Sequence, residues 1–402
     1  MSNFNCDSFE QIEKNLDRLF VPKYYPGFIL SIYENGNESF FLNKGYDDIS
    51  KKIEYKKDSI FRIYSMTKPI VSTAAMQLIE NKKLALDDDV TKYIPEWDDA
   101  VFYKSNNKNV ITIKDLFTHT SGLTYAFQGQ SEVDKKYKVS GINSIVDSEL
   151  SSQEIINELS NIPLEFSPGS FYNYSISIDI LGFIIERISN KTLNEYLHEN
   201  IFNTLGMKDT AFTLDTSKTE RLAMCYRWDE NKNKYEAHDL KINPNIEVKS
   251  YLKKPSSYSG GAGLLSTMND YQLFGSALLD AKKGRKNPLI NKDTANLMMK
   301  NHLPNNKHID QLSKYPLKGE QYYRGLGFGL GGSICIDENA GLSNSNVGDF
   351  GWGGAASTSF YISDKYDYSL VFLTQVLESE ETRKLNSEIK KLVNGCVDVH
   401  KE

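Results

Sequence analysis

Phe61-Arg62-Ile63-Tyr64-Ser65-Met66-Thr67-Lys68-Pro69-Ile70 leads straight into Val71-Ser72-Thr73-Ala74-Ala75-Met76-Gln77-Leu78-Ile79-Glu80, and the reading of this stretch decides the fold. Its second half is apolar and rich in small residues, the pattern of a buried helix. With the helix starting at Ser65, Pro69 falls in or near the first turn. A missing N–H costs little there, because those donors have no helical partner. Ser65 and Lys68 are then three residues apart and share one helix face. A lysine buried at a helix start is pushed to lose its proton twice, by desolvation and by the positive end of the dipole. The neutral amine can deprotonate a neighbouring serine, otherwise a poor nucleophile. The competing reading is an N-cap serine followed by a surface lysine.

The same spacing occurs at Ser105…Lys108 and Ser250…Lys253, both in polar surroundings and neither opening an apolar helix. These two matches read as chance.

Working outward from Ser65, Ser59 to Ile63 is a short extended stretch that delivers the chain to it. Before that, residues 8–20 carry the helical period of an amphipathic helix. Gly27 to Tyr33 and Ser39 to Leu42 read as strands, and Asn35-Gly36 between them is a hairpin signal. Downstream, residues 112–123 read as a short helix with a glycine stop, and 129–150 as a polar, mobile surface loop. Ser151 to Leu159 has a capping pattern, followed by helices near 179–188 and 193–202 and another near 268–281. The spacing predicts strands at 326–330, 357–363 and 368–373, then a closing amphipathic helix at 380–396. Strands gather at the two ends and helices in the middle. The expectation is one α/β (α+β) domain over residues 1–402. Residues 1–85 and 285–402 form an α/β lobe in it, and 86–284 form an inserted, mostly helical lobe.

The composition excludes several classes of function. The chain has 402 residues, 40 % hydrophobic and 25 % charged, with a net charge of −6 and dispersed Lys and Arg. Phosphate binding needs a basic face, so nucleic acid is not expected as a partner. The start has neither a basic nor an apolar signal segment, and no span is long and apolar enough to cross a bilayer. A cytoplasmic protein without a membrane partner is expected. Cys6, Cys225, Cys335 and Cys396 show no C-x-x-C spacing, and the six histidines are single. Neither a disulfide nor a metal site is expected.

Two further stretches carry chemistry. Pro168 to Gly182 is a turn, a polar-aromatic segment and a helix, and it places Tyr174 just ahead of that helix. Beside a lysine ammonium a phenolate is favoured, which brings a tyrosine towards base chemistry; the alternative is a packed aromatic. Gly348 to Phe360, with Trp352-Gly353-Gly354-Ala355, is a glycine-rich strand entry. There the backbone can approach a substrate and turn an N–H towards an oxyanion; the alternative is a tight turn plugged by Trp352. Gly327 to Gly332 fits G-x-G-x-x-G, but no helix follows, so it is no dinucleotide site. No G-x-S-x-G elbow exists. His119, in Thr-His-Thr-Ser-Gly, reads as a structural turn residue rather than a general base.

Taken together, Ser65-Met66-Thr67-Lys68-Pro69, Leu116 to Leu123, Pro168 to Gly182, Gly260 to Leu264, Gly327-Phe328-Gly329 and Trp352-Gly353-Gly354 resemble the serine β-lactamase-like hydrolases. That family includes class C β-lactamases, D-Ala-D-Ala peptidases and family VIII carboxylesterases. The resemblance covers nearly the whole chain, in the family's motif order. It implies a β-lactamase-like fold, an antiparallel sheet flanked by helices, and no cofactor. It makes Ser65 the nucleophile and Lys68 with Tyr174 the base pair. The backbone N–H groups of Ser65 and Ala355 become the oxyanion hole, with Trp352, Gly353 and Gly354 at the substrate.

Two departures separate the chain from class C β-lactamases. Tyr174-Ser175-Ile176 stands where they have Tyr-x-Asn, and Trp352-Gly353-Gly354 where they have Lys-Thr-Gly, whose cation helps hold the drug carboxylate. Both look like the esterase and acyltransferase branch. The expected function is a serine carboxylesterase acting on a small neutral ester. The alternatives are an acyltransferase on the same scaffold, a β-lactamase or D-amino-acid peptidase, or a catalytically silent binding protein. A silent scaffold would have no physical need of Ser65, Lys68 and Tyr174 together. Tyr125, Phe127, Tyr172, Tyr258 and Tyr323 are candidate pocket aromatics, with core packing as their alternative.

Overall fold

A computed structural model describes residues 4, 6–19, 25–98, 110–238, 249–377 and 380–397. β1 (Gly27–Glu34) and β2 (Asn37–Gly45) form the expected hairpin. Asn35 and Gly36 take φ of 51° and 74°, the left-handed pair that a two-residue hairpin turn demands. On its other side β1 pairs with β11 (Tyr368–Leu373), Ile29 opposite Leu373 and Glu34 opposite Tyr368. That pairing of early and late strands builds one sheet from both ends of the chain. β10 (Ser359–Ser363), β9 (Phe350–Gly353), β8 (Ser333–Cys335) and β7 (Leu326–Phe328) extend it to the order β2-β1-β11-β10-β9-β8-β7, antiparallel throughout.

Successive strand residues point to opposite faces. Phe28, Leu30, Ile32, Leu370 and Phe372 pack with Ile12, Leu16, Leu385 and Ile389 beneath the helices Cys6–Leu19 and Glu380–Gly395. Ile29, Val371 and Leu373 face the main core on the other side, with Tyr271 and Phe274. Burial on both faces is why these two strands are mostly apolar, interrupted at Ser31 and Ser369. The helix Met268–Lys283, which falls among the residues expected for the helical lobe, lies against this sheet. Its Gln272 donates to the Ser31 carbonyl at 2.7 Å and accepts from Ser369 Oγ at 2.8 Å.

The helix Thr67–Glu80 runs through the centre of the main core and is buried on nearly every side, as an all-round apolar helix must be. Its α-helical turns begin at Thr67, later than expected; Ser65 sits in the 3₁₀ turn Tyr64–Met66 just before. The helix Ile113–Thr118 opens on a capping box between Thr112 and Asp115. It is stopped by His119, at φ 56°, rather than by Gly122. Residues 129–150 correct the expectation of a surface loop. Ser131 and Asp134 form a capping box that starts the helix Glu132–Val139, and Tyr137, Ile142 and Ile145 are buried. Mean polarity concealed three apolar anchors.

Two small pairings complete the described strands. β3 (Phe61–Arg62) pairs with β6 (Leu265–Ser266), and β4 (Tyr226–Asp229) with β5 (Lys234–Ala237). β4, β5, β6 and β8 were not expected from the sequence. Gly327 to Gly332 lies on the hairpin between β7 and β8, with no helix after it. Among the described residues no helix is long and apolar enough to cross a membrane.

Candidate active site

β3 and β6 hold the chain on the approach to Ser65. Phe61 lies opposite Ser266 and Arg62 opposite Leu265, and Ile63 N donates to Leu264 O at 3.2 Å. Tyr64 then takes φ 41°, a left-handed conformation of the kind that costs a bulky residue about 1–3 kcal/mol unless its surroundings over-determine it. Here they do. Tyr271 OH donates to Met66 O at 2.8 Å, and Leu264 N donates to Thr67 Oγ1 at 3.1 Å. The result is a fixed turn that presents Ser65, half-buried, at the start of a rigid helix.

Three predicted residues converge there. Tyr174 OH donates to Ser65 Oγ at 2.7 Å, and Lys68 Nζ lies 3.2 Å from the same oxygen. Lys68 Nζ also donates to Gly261 O at 2.7 Å and sits 4.5 Å from the centre of the Tyr174 ring. The Lys68 side chain is 0 % exposed. Burial pulls its pKa down to about 7 against the opposing pull of the Asp179 charge. A buried ammonium loses hydration that one carbonyl and one hydroxyl replace only in part.

Asp179 and Gly261 were not singled out by sequence reasoning. Asp179, in the first turn of the buried helix Ser177–Ser189, accepts from Ser259 Oγ at 2.6 Å, Gly261 N at 2.9 Å and Tyr125 OH at 3.4 Å. It thereby pins the segment whose carbonyl holds Lys68. A methyl group at Gly261 would lie 2.3 Å from Asp179 Oδ2 and 2.8 Å from Tyr125 OH, so only glycine fits. The signal available in the sequence was a lone acid opening an apolar helix, together with Gly260-Gly261-Ala262-Gly263.

The far wall is β9. The Trp352 ring is half-buried, 5.7 Å from Tyr174 and 5.1 Å from Phe328. A Cβ at Gly354 would fall 2.3 Å from Ile63 O, so the end of β9 presses on the backbone that precedes Ser65. Gly354 N donates to Thr358 O at 2.8 Å, and Ala355 follows at the exposed tip of that turn. Of the candidate aromatics, Tyr125 lies 5.4 Å from Tyr174 and carries Phe127 stacked on it at 4.7 Å, with Phe127 66 % exposed. Tyr172 and Tyr323 belong to a satellite core with Phe328 instead, and Tyr258 packs on Phe212 at 5.0 Å. His119 lies beside Tyr174 but hydrogen-bonds to Ser175. Ser250 is on the four-residue helix Lys249–Leu252, next to an exposed Lys253. Ser105 and Lys108 lie outside the described residues.

Comparison with known proteins identifies the family. Protein Rv1367c of Mycobacterium tuberculosis is 31 % identical over 343 residues, 82 % of this chain and 81 % of its own. Esterase EstB of Burkholderia gladioli is 27 % identical over 379 residues, 90 % of this chain and 89 % of its own. Among solved structures, that of EstCE1, described as a hydrolase with promiscuous acyltransferase activity, superposes with a TM-score of 0.80 at 24 % identity. It covers 97 % of this chain and 98 % of that one. The family model described as Beta-lactamase matches residues 16–394. That span takes in the sheet strands from both ends, the buried serine–lysine turn and the Trp352 wall, and the chain belongs to the Beta-lactamase family.

Proposed function

We propose that the protein is a serine hydrolase that cleaves small neutral carboxylic esters through an acyl-enzyme on Ser65. The observation that carries this reading is the convergence of Tyr174 OH and the fully buried Lys68 Nζ on Ser65 Oγ. With Lys68 neutral, its lone pair takes the Ser65 proton as Oγ bonds to the ester carbonyl carbon. The oxyanion that forms is met by the backbone N–H groups of Ser65 and Ala355. The carbon–oxygen bond to the alcohol then breaks, and the alcohol leaves with the proton held by the Lys68–Tyr174 pair. Water repeats the cycle and frees the acid.

Trp352 where a cationic anchor would stand favours an uncharged substrate, and an ester needs less leaving-group protonation than an amide. The esterase EstB, similar over nine-tenths of this chain, supports the same branch. The wild-type protein is expected to turn over p-nitrophenyl acetate or butyrate far faster than nitrocefin. Comparable rates on the two would move it to the β-lactamase side. The EstCE1 description favours a second outcome of the same acyl-enzyme, transfer to an added alcohol in place of water. Product analysis with methanol present separates the two.

The carbonyl that holds Lys68 supplies a further test. Gly261→Ala overpacks a buried site, which costs about 1–3 kcal/mol, and it shifts the acceptor of the Lys68 amine. Melting temperature and kcat should both fall. A variant that melts lower but keeps wild-type kcat would remove Gly261 O from the machinery.

A further inference from the structure

We propose that His119 is a positioning residue that aims the Tyr174 hydroxyl at Ser65, acting through its Nδ1 lone pair. This rests on the role given to Tyr174 above. One residue takes both backbone amides that flank Tyr174: Asn173 N donates to His119 O at 2.9 Å, and Ser175 N donates to His119 Nδ1 at 3.2 Å. The imidazole also lies against the Tyr174 ring, with centres 4.8 Å apart. His119 manages both contacts from the left-handed cap of Ile113–Thr118, at φ 56°. The tyrosine is therefore held on either side by a single buried residue.

The tautomer follows from the hydrogen bonds. Nδ1 accepts an N–H, so it carries no proton, and Ser175 Oγ, 3.1 Å away, must donate to it. That uses the one proton of Ser175, so Ser177 Oγ donates to Ser175 Oγ at 2.8 Å. Ser121 Oγ in turn donates to Ser177 Oγ at 2.7 Å, and Leu123 N donates to Ser121 Oγ at 3.1 Å. Four buried polar side chains thus form a one-way chain that ends on the imidazole lone pair. The ring proton is on Nε2, which is buried and has no hydrogen-bond partner among the described residues. Tyr172, Tyr174 and Phe328 surround the ring. An imidazole whose only lone pair already holds two donors has none to offer Ser65. Its reach is through the backbone at 173–175, and a displacement of about 1 Å at a reacting group costs on the order of 10²-fold in rate.

The test compares His119→Asn with His119→Gln, each in the wild-type and the Tyr174→Phe backgrounds. The Asn side-chain oxygen falls near the Nδ1 position and can accept from Ser175 N, whereas the Gln amide reaches towards Nε2. Two rates are measured: kcat and KM for p-nitrophenyl butyrate, and labelling of Ser65 by a fluorophosphonate, which does not depend on the natural substrate. His119→Gln should lower kcat and labelling by roughly 10²-fold with KM little changed, and His119→Asn should keep most of both. In Tyr174→Phe neither substitution should cost more. Equal loss in Asn and Gln, or the same Gln loss with and without the Tyr174 hydroxyl, overturns the proposal. If His119→Gln shows no cooperative melt, His119→Asn decides alone; a folded His119→Asn as impaired as Tyr174→Phe also overturns it. Wild-type labelling on Ser65 without ester turnover would remove the ester reading and leave this comparison intact.

Discussion

Ser65→Ala should abolish hydrolysis of p-nitrophenyl acetate and butyrate, with a loss of roughly 10⁶-fold, the scale for deleting a nucleophile that acts as a unit with its base. No acyl or phosphonyl adduct should appear by intact-mass measurement. The fold should survive. Ser65 is half-buried, and Lys68 keeps its bond to Gly261 O when the hydroxyl is gone. The melting temperature is therefore expected to stay close to that of the wild type. Near-wild-type turnover in Ser65→Ala, or an adduct mapped to Ser250 or Ser105, would sink the whole mechanism.

The second large effect concerns the proton. Burial lowers the Lys68 pKa from its ordinary value near 10.5 to about 7. Below that value the amine is an ammonium with no lone pair for Ser65; above it the base is free. The kcat/KM profile should accordingly rise with pH through about 7 to an alkaline plateau. The midpoint belongs to the Lys68–Tyr174 pair and not to either residue alone. Tyr174→Phe keeps the ring against Trp352 and Tyr125 but removes the hydroxyl, and turnover should drop by roughly 10²–10⁴. Lys68→Arg should be at least as damaging, since a guanidinium does not deprotonate in a protein. A Lys68→Arg enzyme with most of its activity would reduce Lys68 to an electrostatic neighbour. His119 would be a poor substitute base, because burial and the Lys68 charge hold its pKa well below the ordinary imidazole value.

The two departures from the class C pattern look different once the site is assembled. Ile176, where the class C pattern has the asparagine of Tyr-x-Asn, is fully buried in the main core. Trp352 puts an aromatic face against the Tyr174 ring in place of a cation. Each position thus holds an apolar side chain packed within the protein.

Features that depend on a few neighbouring residues were legible in the sequence. The Ser65–Lys68 pairing follows from helical spacing, the β1–β2 hairpin from Asn35-Gly36, and β11 and the closing helix from hydrophobic period. Each is governed by interactions within a few positions along the chain. Residues 129–150 show where that reading slips, because the buried Tyr137, Ile142 and Ile145 are spaced among lysines and serines that dominate the average. Long-range placement was decided only by tertiary packing. Tyr174 reaches Ser65 across 109 positions, Asp179 pins Gly261 across 82, and His119 takes the Ser175 amide across 56. No local propensity encodes these distances. They arise because β1 must pair with β11 to close the sheet, and because the buried helices Thr67–Glu80 and Ser177–Ser189 must pack on each other to bury their apolar faces. The sequence by itself determined which residues could do the chemistry. The packed core decided which of them meet, and by removing water from around Lys68 it lowered the pKa of that amine.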